Sequence, residues 1–196
     1  MLNLSRQTGF SLIELLATLT VMVVLAVIAA PSLTTYAENA KIHATAEMFY
    51  ASAQTARTEA VRRNAVVELA LVSVTPDVAN VDTNGLTTNG PNWLIRQMPP
   101  TGSDDHLFIE GKLGAEGGGR VSGSSVAVDM PAKSVQFNAA GGLVGTASAV
   151  ADFKTSNGGV CAPTGSIRCL RVIVSTGGQA RLCDPAITAA SDPRKC

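Results

Sequence analysis

Residues 6–31 read RQTGFSLIELLATLTVMVVLAVIAAP, an apolar run broken near its start by one carboxylate, Glu14. From Phe10 to Ala30 there are 21 residues without Lys, Arg, Asp or Gly, and Glu14 is the only charge. As an α-helix the run extends roughly 31 Å, the thickness of a bilayer's hydrocarbon core. A charge at that depth costs roughly 2.5–3.5 kcal/mol even on lenient insertion scales, so Glu14 needs a partner. The run is longer than a signal-peptide core, and Glu14 fits such a core badly, although Ala29 and Ala30 imitate a cleavage site. Arg6 and the free amine precede the run, whereas Glu38 comes before Lys41 after it. The positive-inside rule then predicts a cytoplasmic N-terminus and a translocated remainder.

Outward from this run, 196 residues leave room for one globular domain of about 130 residues. With 15 basic and 15 acidic residues the chain has no overall field that would draw nucleic acid or acidic lipid. Its 46% hydrophobic content is that of a folded chain. Pro31 removes a backbone donor and clashes with the preceding turn, which predicts a kink; the alternative is that it ends the membrane helix. Beyond it, Leu33, Ala37, Ala40, Ala44, Met48 and Ala51 step by three or four, and Ile42, Ala46, Phe49, Ala53, Ala56 and Ala60 form a second stripe. Two apolar faces imply two sets of neighbours: the chain's own domain and adjacent helices, or its own domain on both sides. Arg62, Arg63 and Asn64 suit a helix C-terminus. A single helix is therefore predicted from about Ser11 to Arg63.

After Asn64 the composition turns to β-formers separated by Gly, Pro, Asn and Ser. Strands are predicted at Val66–Val74, Trp93–Gln97, Leu107–Glu110, Val126–Met130 and Val135–Asn138. Cys169–Val174 and Gln179–Cys183, joined through Ser-Thr-Gly-Gly, form the strongest hairpin signal. Long loops are predicted at Thr75–Pro91 and Gly111–Ser125, the latter with six glycines but no P-loop lysine pattern.

Gly9 to Leu15, Gly-Phe-Ser-Leu-Ile-Glu-Leu, resembles the class III signal of type IV pilins and of the pseudopilins of type II secretion: a short basic leader, Gly, Phe, and an acid at the fifth mature position. The stretch AEMFYASAQTARTEAVRRN, ending at Asn64, and the hairpin LRVIVSTGGQARLCDP are similar to the GspH/FimT group of minor pilins and pseudopilins. The resemblance covers about half the chain; between Val66 and Val160 there is only a β pattern.

That resemblance implies an α+β pilin fold, a long N-terminal helix packed on an antiparallel sheet with a disulfide-stapled C-terminus. It divides the chain into a leader (1–9), a membrane and assembly helix (10–30), an amphipathic helix continuing into the globular domain (31–64) and a periplasmic β-rich domain (65–196). A prepilin peptidase is expected to cut between Gly9 and Phe10 and to methylate the Phe10 amine. An α-amine has a reference pKa near 8, so it is cationic at neutral pH and able to pair with Glu14. In the family this pairing runs chiefly between neighbouring subunits, which makes Glu14 a register device, since each group buried alone costs several kcal/mol. Pilins commonly carry Pro at the position of Pro31. Expected partners are other pilins or pseudopilins, the prepilin peptidase and the inner-membrane assembly platform; no cofactor and no small-molecule substrate are expected. The implied function is priming, capping or assembling a type IV pilus, with an H-type pseudopilin of type II secretion as the alternative.

Cys161, Cys169, Cys183 and Cys196 lie within the last 36 residues. In an oxidising periplasm an even number reads as disulfides, with three pairings open. Cys161–Cys169 and Cys183–Cys196 are favoured, because each closes a short loop and pilins commonly staple their C-terminal region in this way. Zinc is the rival, disfavoured by the lack of a Cys-x-x-Cys pair and by the distance of His43 and His106. Neither histidine has a nucleophile beside it in a recognisable pattern, and Asp104 and Asp105 read as solvated loop acids, so no enzyme activity is expected. Some minor pilins of this group bind DNA through Gly-Arg-x-Arg. The matching stretch here is Gly178-Gln179-Ala180-Arg181, with Gln in place of the first Arg. Arg181, Arg194 and Lys195 remain as candidate DNA contacts.

Overall fold

A computed structural model describes residues 11–82, 85–100, 105–114 and 126–196. The predicted cleavage site at Gly9 and Phe10, Asp104, and most of the glycine-rich stretch 111–125 lie outside the described residues. Helix α1 runs Leu12–Arg63, 52 residues, and does not end at Pro31. The chain divides into two compact units, the first ending at Ala37 and the second running Glu38–Cys196.

In the first unit the helix exposes every side chain from Ser11 to Ala30. Leu12 is 77% exposed, Ile13 75% and Met22 69%. Helical propensity alone does not account for so apolar a surface; it is suited to lipid or to other helices.

In the second unit the stripe Ile42, Ala46, Phe49, Ala53, Ala56 and Ala60 is buried to 1% exposure or less. The other stripe faces outward: Ala40 and Ala51 are exposed, and Ala44 and Met48 half-buried. The helix closes on Asn64, whose φ of 50° is left-handed. The Ala65 amide donates to the Ala60 carbonyl at 3.2 Å and the Asn64 amide to that of Val61 at 3.3 Å, the paired bonds of a Schellman cap.

Nine strands follow: β1 (Val67–Val72), β2 (Asn89–Gly90), β3 (Asn92–Gln97), β4 (Leu107–Lys112), β5 (Val126–Asp129), β6 (Ser134–Phe137), β7 (Ala149–Thr155), β8 (Leu170–Val174) and β9 (Ala180–Cys183). They form two antiparallel sheets, ordered β4-β3-β1-β6 and β2-β5-β7-β8-β9. The second half of α1 packs on both. Phe49 touches Trp93 of the first sheet, ring centroids 5.3 Å apart, and Phe153 of the second at 5.4 Å, both edge to face. The Trp93 indole N–H donates to Ser52 Oγ at 2.9 Å, so the buried polar edge is satisfied.

The structure departs from the sequence-based expectation in two places. Strand β7 is central to the second sheet but was not predicted. Its residues alternating with the outward Asp152 and Lys154 are Ala149, Ala151, Phe153 and Thr155, small or polar apart from Phe153, so its alternation is faint. The stretch 75–91 is also more than a loop. It contains a 3-10 turn (Val78–Asn80) and β2, and it bridges the sheets: the Thr87 amide bonds Leu71 O at 3.0 Å, and the Met130 amide bonds Thr88 O at 2.8 Å. Beneath it Ala70, Val72 and Leu94 form a small second core with Val74, Leu86 and Phe108.

Candidate functional site

Glu14 lies in the first turn of α1, where the amides of Glu14 and Leu15 both bond the Ser11 carbonyl, at 3.0 and 3.1 Å. The Thr18 and Thr20 hydroxyls donate to the Leu15 and Ala17 carbonyls at 2.9 and 2.8 Å and are satisfied within the helix. Glu14 is different: its carboxylate has no ion-pair partner among the described residues. It shares a shallow, largely apolar groove with Ala17, Thr18, Val21, Met22 and Leu25. A lone carboxylate in an apolar setting is costly unless a cation from outside the described residues meets it.

At the other end of the chain two disulfides staple the second sheet, Cys161–Cys169 with Cα atoms 5.5 Å apart and Cys183–Cys196 at 5.1 Å. The first holds a loop whose Arg168 amide donates to Asn39 Oδ1 of α1 at 2.7 Å. The second ties the terminus to the end of β9, where the Asp184 amide bonds the Arg194 carbonyl at 2.7 Å.

The three candidate DNA contacts are not equivalent. Arg181 donates to the Lys195 and Cys196 carbonyls at 3.3 and 3.0 Å. Arg194 forms a fork with Asp192 at 2.8 and 3.1 Å, and its hydrogen bonds pull the Asp192 carboxyl down to about 2. The Lys195 side chain, unlike those of Arg181 and Arg194, makes no hydrogen bond or ion pair among the described residues. Gly178 has a structural reason for its identity: its φ is 77°, and a Cβ there would lie 1.8 Å from the Gly141 carbonyl oxygen.

Other ionisable groups pair locally. His43 lies 3.4 Å from Glu47 on α1, and the His106 ring lies 2.8 Å from Asp82. On the outer face of the second sheet a cleft of about 280 Å³ is lined by Asp129, Asp152, Lys154 and Arg171. Lys154 pairs there with Asp129, and Arg171 with Asp152 at 2.6 Å. Among the described residues no three His, Cys, Asp or Glu side chains converge as a metal site would require.

One polar group was not legible in the sequence. Glu68 and Arg96, cross-strand neighbours on β1 and β3, form a salt bridge at 2.7 Å with both side chains 5% exposed or less. Burial alone would raise the Glu68 carboxyl, but hydrogen bonds from Ser134 and Gln136 and the Arg96 charge outweigh it and hold the group below its ordinary range. Arg96 also donates to the Val81 carbonyl at 2.5 Å, which fastens the 75–91 crossing to the sheet.

An unbroken helix whose first part exposes an apolar surface carrying the single charge Glu14, and whose second part is the spine of a two-sheet body, defines a pilin-like subunit. The match is specific: residues 45–178 fit the family of the type II transport protein GspH, and residues 4–30 fit the prokaryotic N-terminal methylation motif. The chain belongs to the GspH family. It is a minor pilin or pseudopilin, and its fold is the type IV pilin fold. Among solved structures it resembles the type IV minor pilin FimU of Pseudomonas aeruginosa strain PAO1, with TM-score 0.52 and 16% identity over 75% of this chain and 91% of that one. The minor pseudopilin EpsH from the type 2 secretion system of Vibrio cholerae is also similar, with TM-score 0.45 and 16% identity over 76% and 99%. No curated protein sequence matches the chain.

Proposed function

We propose that this chain is a low-copy minor pilin that primes, caps or helps assemble a type IV pilus. Prepilin peptidase cuts it between Gly9 and Phe10 and methylates the Phe10 amine. It then rests in the inner membrane with its N-terminus cytoplasmic and residues beyond the span periplasmic, and passes through the assembly platform to join other pilins. Its role is assembly, not catalysis.

The observation that carries this reading is the division of α1. One continuous helix carries a buried stripe from Ile42 to Ala60 and is wholly exposed from Ser11 to Ala30, with the single charge Glu14 in the exposed part. Lipid covers that surface before assembly, and neighbouring pilin helices cover it afterwards. Glu14 then pairs with the Phe10 amine of an adjacent subunit and sets the register, and Pro31 lets the helix bend between its two environments.

The test is a count of surface pili by electron microscopy in a deletion strain, complemented with the wild-type gene or with Glu14→Gln. Loss of pili restored by wild type but not by Glu14→Gln, with equal membrane insertion, is the expected result. Normal incorporation of Glu14→Gln would remove the register role. The family's description as a type II transport protein favours a second reading, an H-type pseudopilin near the tip of a secretion pseudopilus. Unchanged pili with lost protein export would select it. DNA uptake has less support, because Arg181 and Arg194 already have internal partners.

A further inference from the structure

We propose that the Cys161–Cys169 disulfide is an oxidation-dependent clamp on the start of the globular part of α1, acting through Asn39. The globular unit begins at Glu38, and Ile42 is its first fully buried helix residue. Between them the helix is held by Asn39, whose Oδ1 accepts from the Arg168 amide at 2.7 Å and whose Nδ2 donates to the Ser166 carbonyl at 3.5 Å. Among the described residues no other side chain of residues 38–48 hydrogen-bonds outside the helix.

Both partners of Asn39 lie in the loop that Cys161–Cys169 closes. Inside it the Gly165 amide bonds the Cys161 carbonyl at 3.0 Å, and the Ala162 amide bonds that of Ile167 at 2.8 Å. Ile167 is buried in the main core, so the loop is anchored at that point. Gly165 packs so tightly that a Cβ would lie 2.0 Å from the Val160 carbonyl oxygen. The Arg168 side chain continues the connection: its Nε lies 3.3 Å from Asp184, which is 6% exposed and adjoins Cys183 of the second disulfide.

Opening the Cys161–Cys169 bond returns conformational freedom to this loop, and two well-placed groups facing Asn39 become a mobile pair. Closing it is a two-electron oxidation. The two thiols exchange with a disulfide donor, which leaves as a dithiol carrying their two protons and two electrons. The helix start at residues 38–42 is therefore fully docked only after the chain has met a thiol-oxidising partner, and the reduced chain carries a looser body.

Hydrogen exchange on full-length protein in detergent micelles tests this. Amides of residues 39–45 are expected to exchange about tenfold faster in the Cys161→Ser/Cys169→Ser double variant and in Asn39→Ala, while protection across residues 49–60 is retained. Cys183→Ser/Cys196→Ser is the matched control, expected to leave 39–45 within about twofold of wild type. Unchanged exchange at 39–45 in the Cys161→Ser/Cys169→Ser variant overturns the proposal. If that variant loses protection throughout 49–60, Asn39→Ala decides with both disulfides intact, and unchanged exchange there overturns the proposal equally.

Discussion

Arg57 Nε donates to the Gly141 carbonyl oxygen at 3.0 Å, joining the last turns of α1 to the turn after β6. The same oxygen packs against Gly178 in the β8–β9 hairpin, and the Leu143 amide bonds the Thr176 carbonyl at 2.9 Å. Helix, first sheet and second sheet thus meet at one carbonyl. Arg57→Ala is expected to lower unfolding free energy by about 1–2 kcal/mol, the range for a half-buried hydrogen bond from a charged donor. Gly178→Ala adds both a strained left-handed backbone and a clash with backbone, and is expected to cost at least about 2 kcal/mol. Urea unfolding of both variants in the same detergent measures the ranking; an Arg57→Ala cost larger than that of Gly178→Ala would show that the guanidinium, not the close approach, holds the turns together.

The buried Glu68–Arg96 pair leads to a different pattern. Removing one partner strands the other charge where it is 5% exposed or less. Arg96→Met alone is expected to destabilise by about 3–5 kcal/mol, whereas Glu68→Met with Arg96→Met is expected to recover most of that loss. The folded Glu68 carboxyl lies below its ordinary value, so its contribution is complete above the ordinary carboxylate range and is lost as pH falls from that range through the lower folded value. Thermal unfolding of the single and double variants checks the recovery; a double variant no better than Arg96→Met would mean that the fastening of Val81, not the charge, is what matters.

How much of this was legible in sequence depended on whether the signal was local. Helix α1, its two apolar stripes and its cap at Asn64 follow from spacing within a few residues, while which stripe is buried was settled only by the sheets packed against Ile42 to Ala60. The Ser-Thr-Gly-Gly hairpin was equally plain. Glu14 stood out because nothing near it was charged. By contrast Glu68 and Arg96 are 28 residues apart, each sitting at a position that alternation assigns to solvent. The Arg96–Val81 bond brings the 75–91 stretch against this pair, and that stretch makes Thr87–Leu71 and Thr88–Met130 bonds to distant strands. Strand β7 hid for a related reason, since Ala149 and Ala151 are inward positions without β-branched bulk.

At the helix C-terminus Glu59 bonds Arg62 and Arg63, each at 2.6 Å. Those hydrogen bonds pull its carboxyl from 4.5 to about 2. Protons therefore bind the unfolded chain first as pH falls: the stabilisation is complete above about 4.5 and is lost on the way down to about 2. Arg62 is largely exposed, so solvent screening keeps the gain at neutral pH small. Glu59→Gln is expected to be slightly less stable than wild type at pH 7 and indistinguishable from it near pH 2. A difference that persists undiminished at low pH would assign the effect to packing instead of charge.

The two stripes of α1 provide a matched pair of substitutions. Ala51 and Ala53 sit two residues apart on the same helix, the first exposed and the second 1% exposed. Leucine at Ala53 must enter a filled core against the sheets and is expected to cost about 1–3 kcal/mol. Leucine at Ala51 projects from the outward stripe and is expected to change stability by less than about 0.5 kcal/mol. Its effect is expected in assembly: in the proposed filament, neighbouring pilin helices approach closely at this stripe, so Ala51→Leu is expected to fold, insert and yet enter filaments poorly. Crosslinking to co-expressed pilins, read beside a melting curve of each variant, separates the two effects. If Ala51→Leu crosslinks as wild type does, the outward stripe is a solvent face, and the covering of α1 by its neighbours is confined to the span around Glu14.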